Sequence, residues 1–452
     1  MYVTRGTKVS WHTARDGSFW PASDLHPAHA IYPAFDPRRP LDPEESWSFL
    51  FERDGRWTYH DHIDPGAMGM IIVVPPGVSG NGSYEIPVAC DQEKPAERKA
   101  CWKERIMGML EGDGLDAAFS EMEKIYSEDP RFASDCHGFG HDIGLLAYRR
   151  YGEDVPPTHQ MAICGQGFYH GYMEGFLFGN GGDMRAASEF CLSMGDHFDD
   201  AFELSAPQCH HGMGHGQMEY HLSTNLDLIS DLPRLVSLGI KDCTVLPDDD
   251  ARFRCASGVY AVTKDWVNIQ KLTHTYPDSF SLEDPFGLCR HVSEDWAKRG
   301  CAWELSKQAL IMAKMDPAVA FASLIPAGLA WEPDYVPLMI TSAAFLIGEM
   351  SVGKADDGLV RACQTIEELE QRRSCVKGMV GGLLFNGDPN DEVARSVRFC
   401  MAEGLTPSES DSCSETIARY MEEARGAAGL RDACRAIAAH GAQPAVCEIA
   451  DI

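Results

Sequence analysis

The chain lacks any apolar run of the roughly 18 residues that crossing a bilayer requires. Its nearest candidate, Tyr335–Gly348, is shorter and contains Pro337. Basic residues are scarce: 39 Lys and Arg stand against 68 Asp and Glu, a formal charge of −29 at pH 7. That balance argues against nucleic acid or an anionic membrane face as partner. It favours metal cations, or simple solubility. The P-loop, the dinucleotide fingerprint, the nucleophile elbow and the His-Glu-x-x-His zinc motif are all missing. No C-x-x-C-H occurs, which argues against c-type haem, and no C-x-x-C knuckle of the kind that holds structural zinc. The first 89 residues contain no cysteine at all.

What the chain does contain is sixteen cysteines in 452 residues, all from Cys90 onward, and 44% hydrophobic residues. The length allows two or three domains with real cores. Six cysteine pairs are separated by 11–13 positions: Cys90/Cys101, Cys243/Cys255, Cys289/Cys301, Cys363/Cys375, Cys400/Cys413 and Cys434/Cys447. The regular spacing predicts disulfides closing helix–loop–helix corners in an oxidising, extracytoplasmic compartment. Each such loop is worth about 3 kcal/mol on a chain-entropy basis.

The segment Arg56–Val74, RWTYHDHIDPGAMGMIIVV, reads as a strand, a short loop and a second strand. His60 and His62 are two apart, so a strand turns both imidazoles to one side and Asp61 to the other. With Met68 and Met70 expected on the loop, the segment is a chelate for a borderline or soft metal. Pro75–Ala89 is rich in Pro, Gly, Ser and Asn, so residues 76–89 read as a linker.

Several motifs of residues 1–75 occur in the order found in the cupredoxins, the copper-binding β-sandwiches. Gly6–Trp11 (GTKVSW), Pro43–Phe51 followed by Gly55–Tyr59, and the MGMIIVV end resemble that family's strands. Trp20–Pro43 resembles the long insertion of one of its branches, with the pattern WPAS…HP…YP…D. The resemblance implies an all-β Greek-key sandwich, copper and electron transfer. It also implies departures. Asp61 stands where the family's cysteine ligand is expected, and Phe19 where a histidine is, so a blue-copper site, which needs a thiolate, is excluded. His26, His29, His60, His62 and the two methionines remain as donors. A further strand is expected before Tyr2–Thr4, and with it an upstream segment carrying a signal peptide.

From Cys90 onward helical periodicity takes over, as in Leu115–Tyr126 and Glu304–Lys314. The second cysteine of each unit recurs at 164, 209, 255 and 301, then at 375, 413 and 447. The gap from Cys301 to Cys375 has room for one unit without cysteines. Repeats of this length predict helical hairpins stacked into a solenoid or ring over residues 90–452. A C-x-x-G signature at Cys164/Gly167, Cys209/Gly212, Cys255/Gly258 and Cys375/Gly378 points to close helix approach beside each bridge. A glycine there costs about 1 kcal/mol of helix propensity.

Two units carry more than this scaffold. His170 and His215 each lie six residues after a cysteine, and Glu174 and Glu219 ten after, with His-Gly-x-Met-Glu in common. A third unit supplies His137 and His141. The pairs His137/His141, His170/Glu174 and His211/His215 are each spaced i, i+4, which puts both side chains on one helix face. The histidines are confined to 136–221 while the scaffold runs on, with Ala261 and Gly381 at the later equivalents of His170 and His215. A purely structural role would not confine them so. The cluster therefore predicts a metal site of helix-bundle type, with Glu174 and Glu219 as candidate general bases.

The sequence thus describes an exported metal-binding protein: a truncated cupredoxin-like domain fused to a disulfide-stapled helical repeat. Copper is the expected ion, with zinc or iron open in the helical part, and a redox or protein partner is compatible with both. Two alternatives stand beside it. One is a metal-dependent hydrolase, lyase or oxidase in the helical domain. The other is a metal-free helical scaffold that binds a partner.

Overall fold

The computed structural model describes residues 1–13, 16–25, 29, 31–77, 90–156, 158–195, 205–269, 281–351, 358–385, 392–442 and 444–448. The expected linker at 76–89 falls almost wholly outside these, as does His26.

Among the described residues, six strands form the N-terminal part: β1 (Tyr2–Thr4), β2 (Thr7–His12), β3 (Pro21–Ser23), β4 (Ser46–Phe51), β5 (Gly55–Asp61) and β6 (Asp64–Val74). They make one four-stranded sheet in the order β1-β6-β5-β3 and one two-stranded sheet, β2-β4. β1 runs parallel to β6, with Tyr2 opposite Ile72, and β5 runs antiparallel to it, with Trp57 opposite Ile71. Aromatic rings fill the space between the sheets. Phe35 lies 4.9 Å from Trp11 and 5.2 Å from Phe49 between ring centroids, and Tyr32 lies 4.7 Å from Trp57. The sequence expected Met68 and Met70 on a loop, but the turn is tighter. Asp61 pairs with Asp64, so only His62 and Ile63 separate the strands, and both methionines lie within β6.

The rest is helical: α1 (Pro95–Gly112), α2 (Leu115–Glu128), α3 (Ala133–Tyr151), α4 (Gly167–Gly179), α5 (Met184–Gly195), α6 (Ser205–Thr224), α7 (Leu232–Cys243), α8 (Asp249–Ile269), α9 (Asp295–Met312), α10 (Pro317–Trp331), α11 (Val336–Glu349), α12 (Leu359–Gln364), α13 (Leu369–Phe385), α14 (Glu392–Cys400), α15 (Pro407–Ala438) and α16 (Ala445–Glu448). One row of helices, α3-α4-α6-α8-α9-α11-α13-α15, packs side by side, each on the next. Helices α5, α7, α10, α12 and α14 alternate with them along the chain and pack against them. The α10/α11 pair is the expected unit without cysteines. Local sequence sets the helix starts. Asp316 caps α10 ahead of Pro317, and Thr406 with Glu409 makes a capping box on α15.

All sixteen cysteines are paired in eight disulfides, among them the six pairs read from spacing. The other two are Cys136–Cys164 and Cys191–Cys209, with longer separations of 28 and 18 residues. Eight disulfides fit an oxidising environment outside the cytoplasm. Among the described residues, no helix is long and apolar enough to cross a membrane.

The two parts share one contiguous core that runs from Val9 and Trp57 through Trp102 and Phe139 to Ile437. Leu25 packs on Gly138 of α3, where an added Cβ would meet its Cδ1 at 3.1 Å. Arg56 of β5 pairs with Glu104 of α1.

Candidate metal centre

Three neighbouring helices of the row bring the histidines together. α3 carries His137 and His141, α4 carries His170 and Glu174, and α6 carries His211 and His215. Glycine sets how close these helices come. A Cβ on Gly167 would lie 2.3 Å from the His137 carbonyl oxygen, and one on Gly212 would lie 2.5 Å from that of Tyr169. Larger residues would hold the helices apart and the imidazoles with them. The C-x-x-G signature is thus a contact rule: it spaces the rings.

The result is a compact set of nitrogen and oxygen donors. His141 Nε2 and His170 Nδ1 are 3.1 Å apart, and so are His211 Nε2 and His215 Nε2. Two ligands about 2.0–2.1 Å from one zinc-like ion sit roughly 3 Å apart, so both pairs have chelate spacing. Three overlapping groups, His137/His141/His170, His170/His211/His215 and His141/Glu174/His215, each keep their ligand atoms within 4.8 Å. Glu174 Oε1 is 3.6 Å from His141 Nδ1.

Contacts around the cluster orient the rings. His137 Nδ1 donates to the Cys164 carbonyl oxygen at 3.1 Å, which leaves its Nε2 with the lone pair. His211 Nδ1 lies 2.6 Å from the Ser257 hydroxyl. His170 Nε2 is buried and, among the described residues, has no hydrogen-bond partner. A buried polar atom left alone is costly, and a ligand-binding atom is the usual exception.

Burial favours the neutral form of three of the imidazoles. Burial, then the neighbouring histidines, hold His170 well below the ordinary histidine value. Burial, then Lys307 and Arg254, do the same for His211, and burial lowers His137. Neutral imidazole is the form that ligates metal. Burial also pushes Glu174 up to about 8, because a buried site disfavours the charged carboxylate. Glu219 is buried on α6, one turn beyond His215 and outside the three groups.

The row of helices curves around a cavity of about 440 Å³ onto which His137, His170, His211 and His215 open. Its far wall carries Lys264, Glu304, Lys307 and Glu349 among Trp303 and Phe345. Lys307 Nζ lies 2.9 Å from Glu304. The sequence reading missed these residues, although spacing held the signal. Lys307 follows Cys301 by six positions, the slot of His170 and His215, and Asp265 follows Cys255 by ten, the slot of Glu174 and Glu219.

A second cluster lies in the β part. His60 and His62 come together, although His62 lies in the turn beyond β5 and not on the strand as expected, with His29 as a third member, all three buried. His60 Nδ1 donates to Asp24 at 2.8 Å and His29 Nδ1 to Asp36 at 2.8 Å. His29 Nε2 is 2.9 Å from His62 Nδ1. Carboxylates behind two of three imidazoles are the usual support of metal-binding histidines. Met68 stands opposite His60 in the ladder, with 38% of its surface exposed.

No protein-family model matches the chain, and no curated protein or solved structure matches it at a significant level. The site must therefore be read from its own chemistry.

Proposed function

We propose that this is an exported metal-binding protein whose main centre is the His137/His141/His170/His211/His215/Glu174 cluster. One observation carries the reading: five imidazoles and a carboxylate converge in groups no wider than 4.8 Å, with His170 Nε2 buried and, among the described residues, without a hydrogen-bond partner. Structural histidines are ordinarily satisfied one by one by carbonyls or carboxylates. Here histidine faces histidine. An imidazole-rich set binds first-row divalent ions in the order that peaks at copper, so copper is the ion proposed, with zinc or iron as the competing loads.

The His29/His60/His62 group is proposed as a second ion site. The sequence resemblance of residues 1–75 to the cupredoxins supports copper there too, in a form without a thiolate ligand. A redox or electron-transfer role belongs to this reading.

A catalytic reading is favoured by the cavity. An ion in the helical cluster would face a space large enough for a small substrate, and a bound divalent ion lowers the pKa of its water. Glu174 would then serve as the general base.

The deciding measurement is elemental analysis of untagged protein. Stoichiometric copper supports the first reading, and stoichiometric zinc or iron supports the catalytic one. Fully folded protein that takes up neither copper nor zinc would leave only a metal-free scaffold. Replacing His170 and His215 together by Ala should remove metal from the helical part without unfolding it. Unchanged metal content would refute the assignment.

A further inference from the structure

The helical cluster has more donors than one ion uses. Zinc in proteins takes four ligands, with three from side chains where a position stays open. Five histidines and Glu174 meet here. Moreover, two short nitrogen–nitrogen contacts in the cluster share no residue: one joins His141 to His170, the other joins His211 to His215, each at 3.1 Å. Each pair is already spaced as two ligands of one ion, which marks two centres.

His170 lies between them. Its ring is 5.0 Å from that of His141 and 4.9 Å from that of His137 on α3. It is 4.8 Å from that of His211 and 4.6 Å from that of His215 on α6. Its Nδ1 faces His141, while its Nε2 is buried and has no hydrogen-bond partner among the described residues, and its side chain lines the cavity. The same residue belongs to both three-histidine groups. The third group, His141/Glu174/His215, takes one histidine from each side and adds the carboxylate.

We propose that the helical cluster is a two-metal centre, with one ion at His137/His141/His170 and the other at His170/His211/His215, bridged by the two ring nitrogens of His170. This rests on the metal-binding reading above and sharpens it. Glu174, placed between the His141 and His215 sides, supplies negative charge to both ions. A bridging imidazole gives up its N–H proton to the solvent as the second ion binds, so the bridge carries one negative charge of its own. The cavity gives both ions an approach from the His137 and His211 sides.

The test uses the full chain with His60→Gln and His62→Gln, so that the β cluster does not contribute. Copper(II) is added to the metal-depleted protein and excess is removed. Two measurements follow: copper per chain, and the intensity of the electron paramagnetic resonance signal. Expected are two copper ions per chain and a signal far below that of two isolated ions, because an imidazolate bridge couples the spins. His137→Gln and His211→Gln should each lose about one ion and recover a one-copper signal. His170→Gln should abolish the coupling. Circular dichroism melts confirm that each variant is folded. One copper in the parent would overturn the two-metal proposal and leave the metal-binding reading intact. No copper would overturn both. Two coppers with a full, uncoupled signal would overturn the bridge.

Discussion

Lys103 of α1 places its ammonium on Asp24, the carboxylate that holds His60. The same ammonium lies 2.6 Å from Asp142, the neighbour of His141 on α3. All three side chains are buried. A charged chain, His60–Asp24–Lys103–Asp142, therefore ties the β cluster to the helix that carries His137 and His141 of the other. Burial alone would raise the Asp24 carboxyl, but Lys103 and His60 hold it far below the usual carboxylate range. Burial opposes the charge on Lys103, yet its two carboxylate partners raise its pKa.

Replacing Lys103 by Met should leave two buried carboxylates without their cation. Breaking a buried pair on one side costs about 3–5 kcal/mol. Urea unfolding should show a loss of that size. A loss under 1 kcal/mol would mean that the triad is solvated in solution.

Asp24→Asn should weaken metal binding at His29/His60/His62 by about 10–100-fold, the usual penalty for removing a carboxylate behind a ligating histidine. Occupancy of the helical cluster should stay the same. Isothermal titration of a His170→Ala, His215→Ala background isolates the β site for this measurement.

Gly171→Ala should push α4 away from α3, since the new Cβ would meet the His141 carbonyl oxygen at 1.9 Å. Overpacking of this kind costs about 1–3 kcal/mol. The metal affinity of the helical cluster should fall with it. Gly108→Ala, on α1 with nothing within 4 Å of its Cβ, is the control: it should leave the metal affinity unchanged and raise stability by about 0.5–1 kcal/mol through helix propensity.

Removing one bridge by the double change Cys243→Ser and Cys255→Ser opens a loop of 12 residues. The expected cost is about 3 kcal/mol. Differential scanning calorimetry with and without reductant should show the variant melting below the parent only while the other bridges remain intact.

Acid should loosen the C-terminal end through Glu409. Burial would raise its pKa, but hydrogen bonds from Arg372 at 2.9 Å and from the Thr406 hydroxyl at 2.7 Å lower it below 4.5. A carboxylate with a folded pKa below its unfolded one stabilises the fold above pH 4.5 and loses that contribution as pH falls through the folded value. Glu409→Gln should therefore reduce stability at pH 7 and flatten its decline below pH 4.5. A parallel decline in both proteins would show that other carboxylates govern acid unfolding.

Much of this was readable in one dimension. Cysteine spacing of 11–13 gave six bridges, because a disulfide across a helix–loop–helix corner closes a loop of fixed length. Cys136–Cys164 and Cys191–Cys209 escaped that rule, since longer connections intervene. The i, i+4 pairs were legible because helix geometry fixes which residues share a face. His29 was only one of several remaining donors: it reaches His62 from 33 residues away in the chain, a contact that no periodicity encodes. Lys307 was legible in principle, six residues after Cys301, but its chemistry differs from the histidines it replaces.

The sequence by itself determined a disulfide-stapled helical repeat behind a β segment, an acidic surface charge and three helices bearing His/Glu pairs. These follow from local rules of period, spacing and composition. Only the tertiary structure decided that the three helices are adjacent, that glycine brings their backbones into contact, and that His170 stands between two pairs of histidines. It also joined the two parts through Lys103. Such facts depend on distances between residues far apart in the chain, and those are set by packing of the whole core rather than by any local pattern.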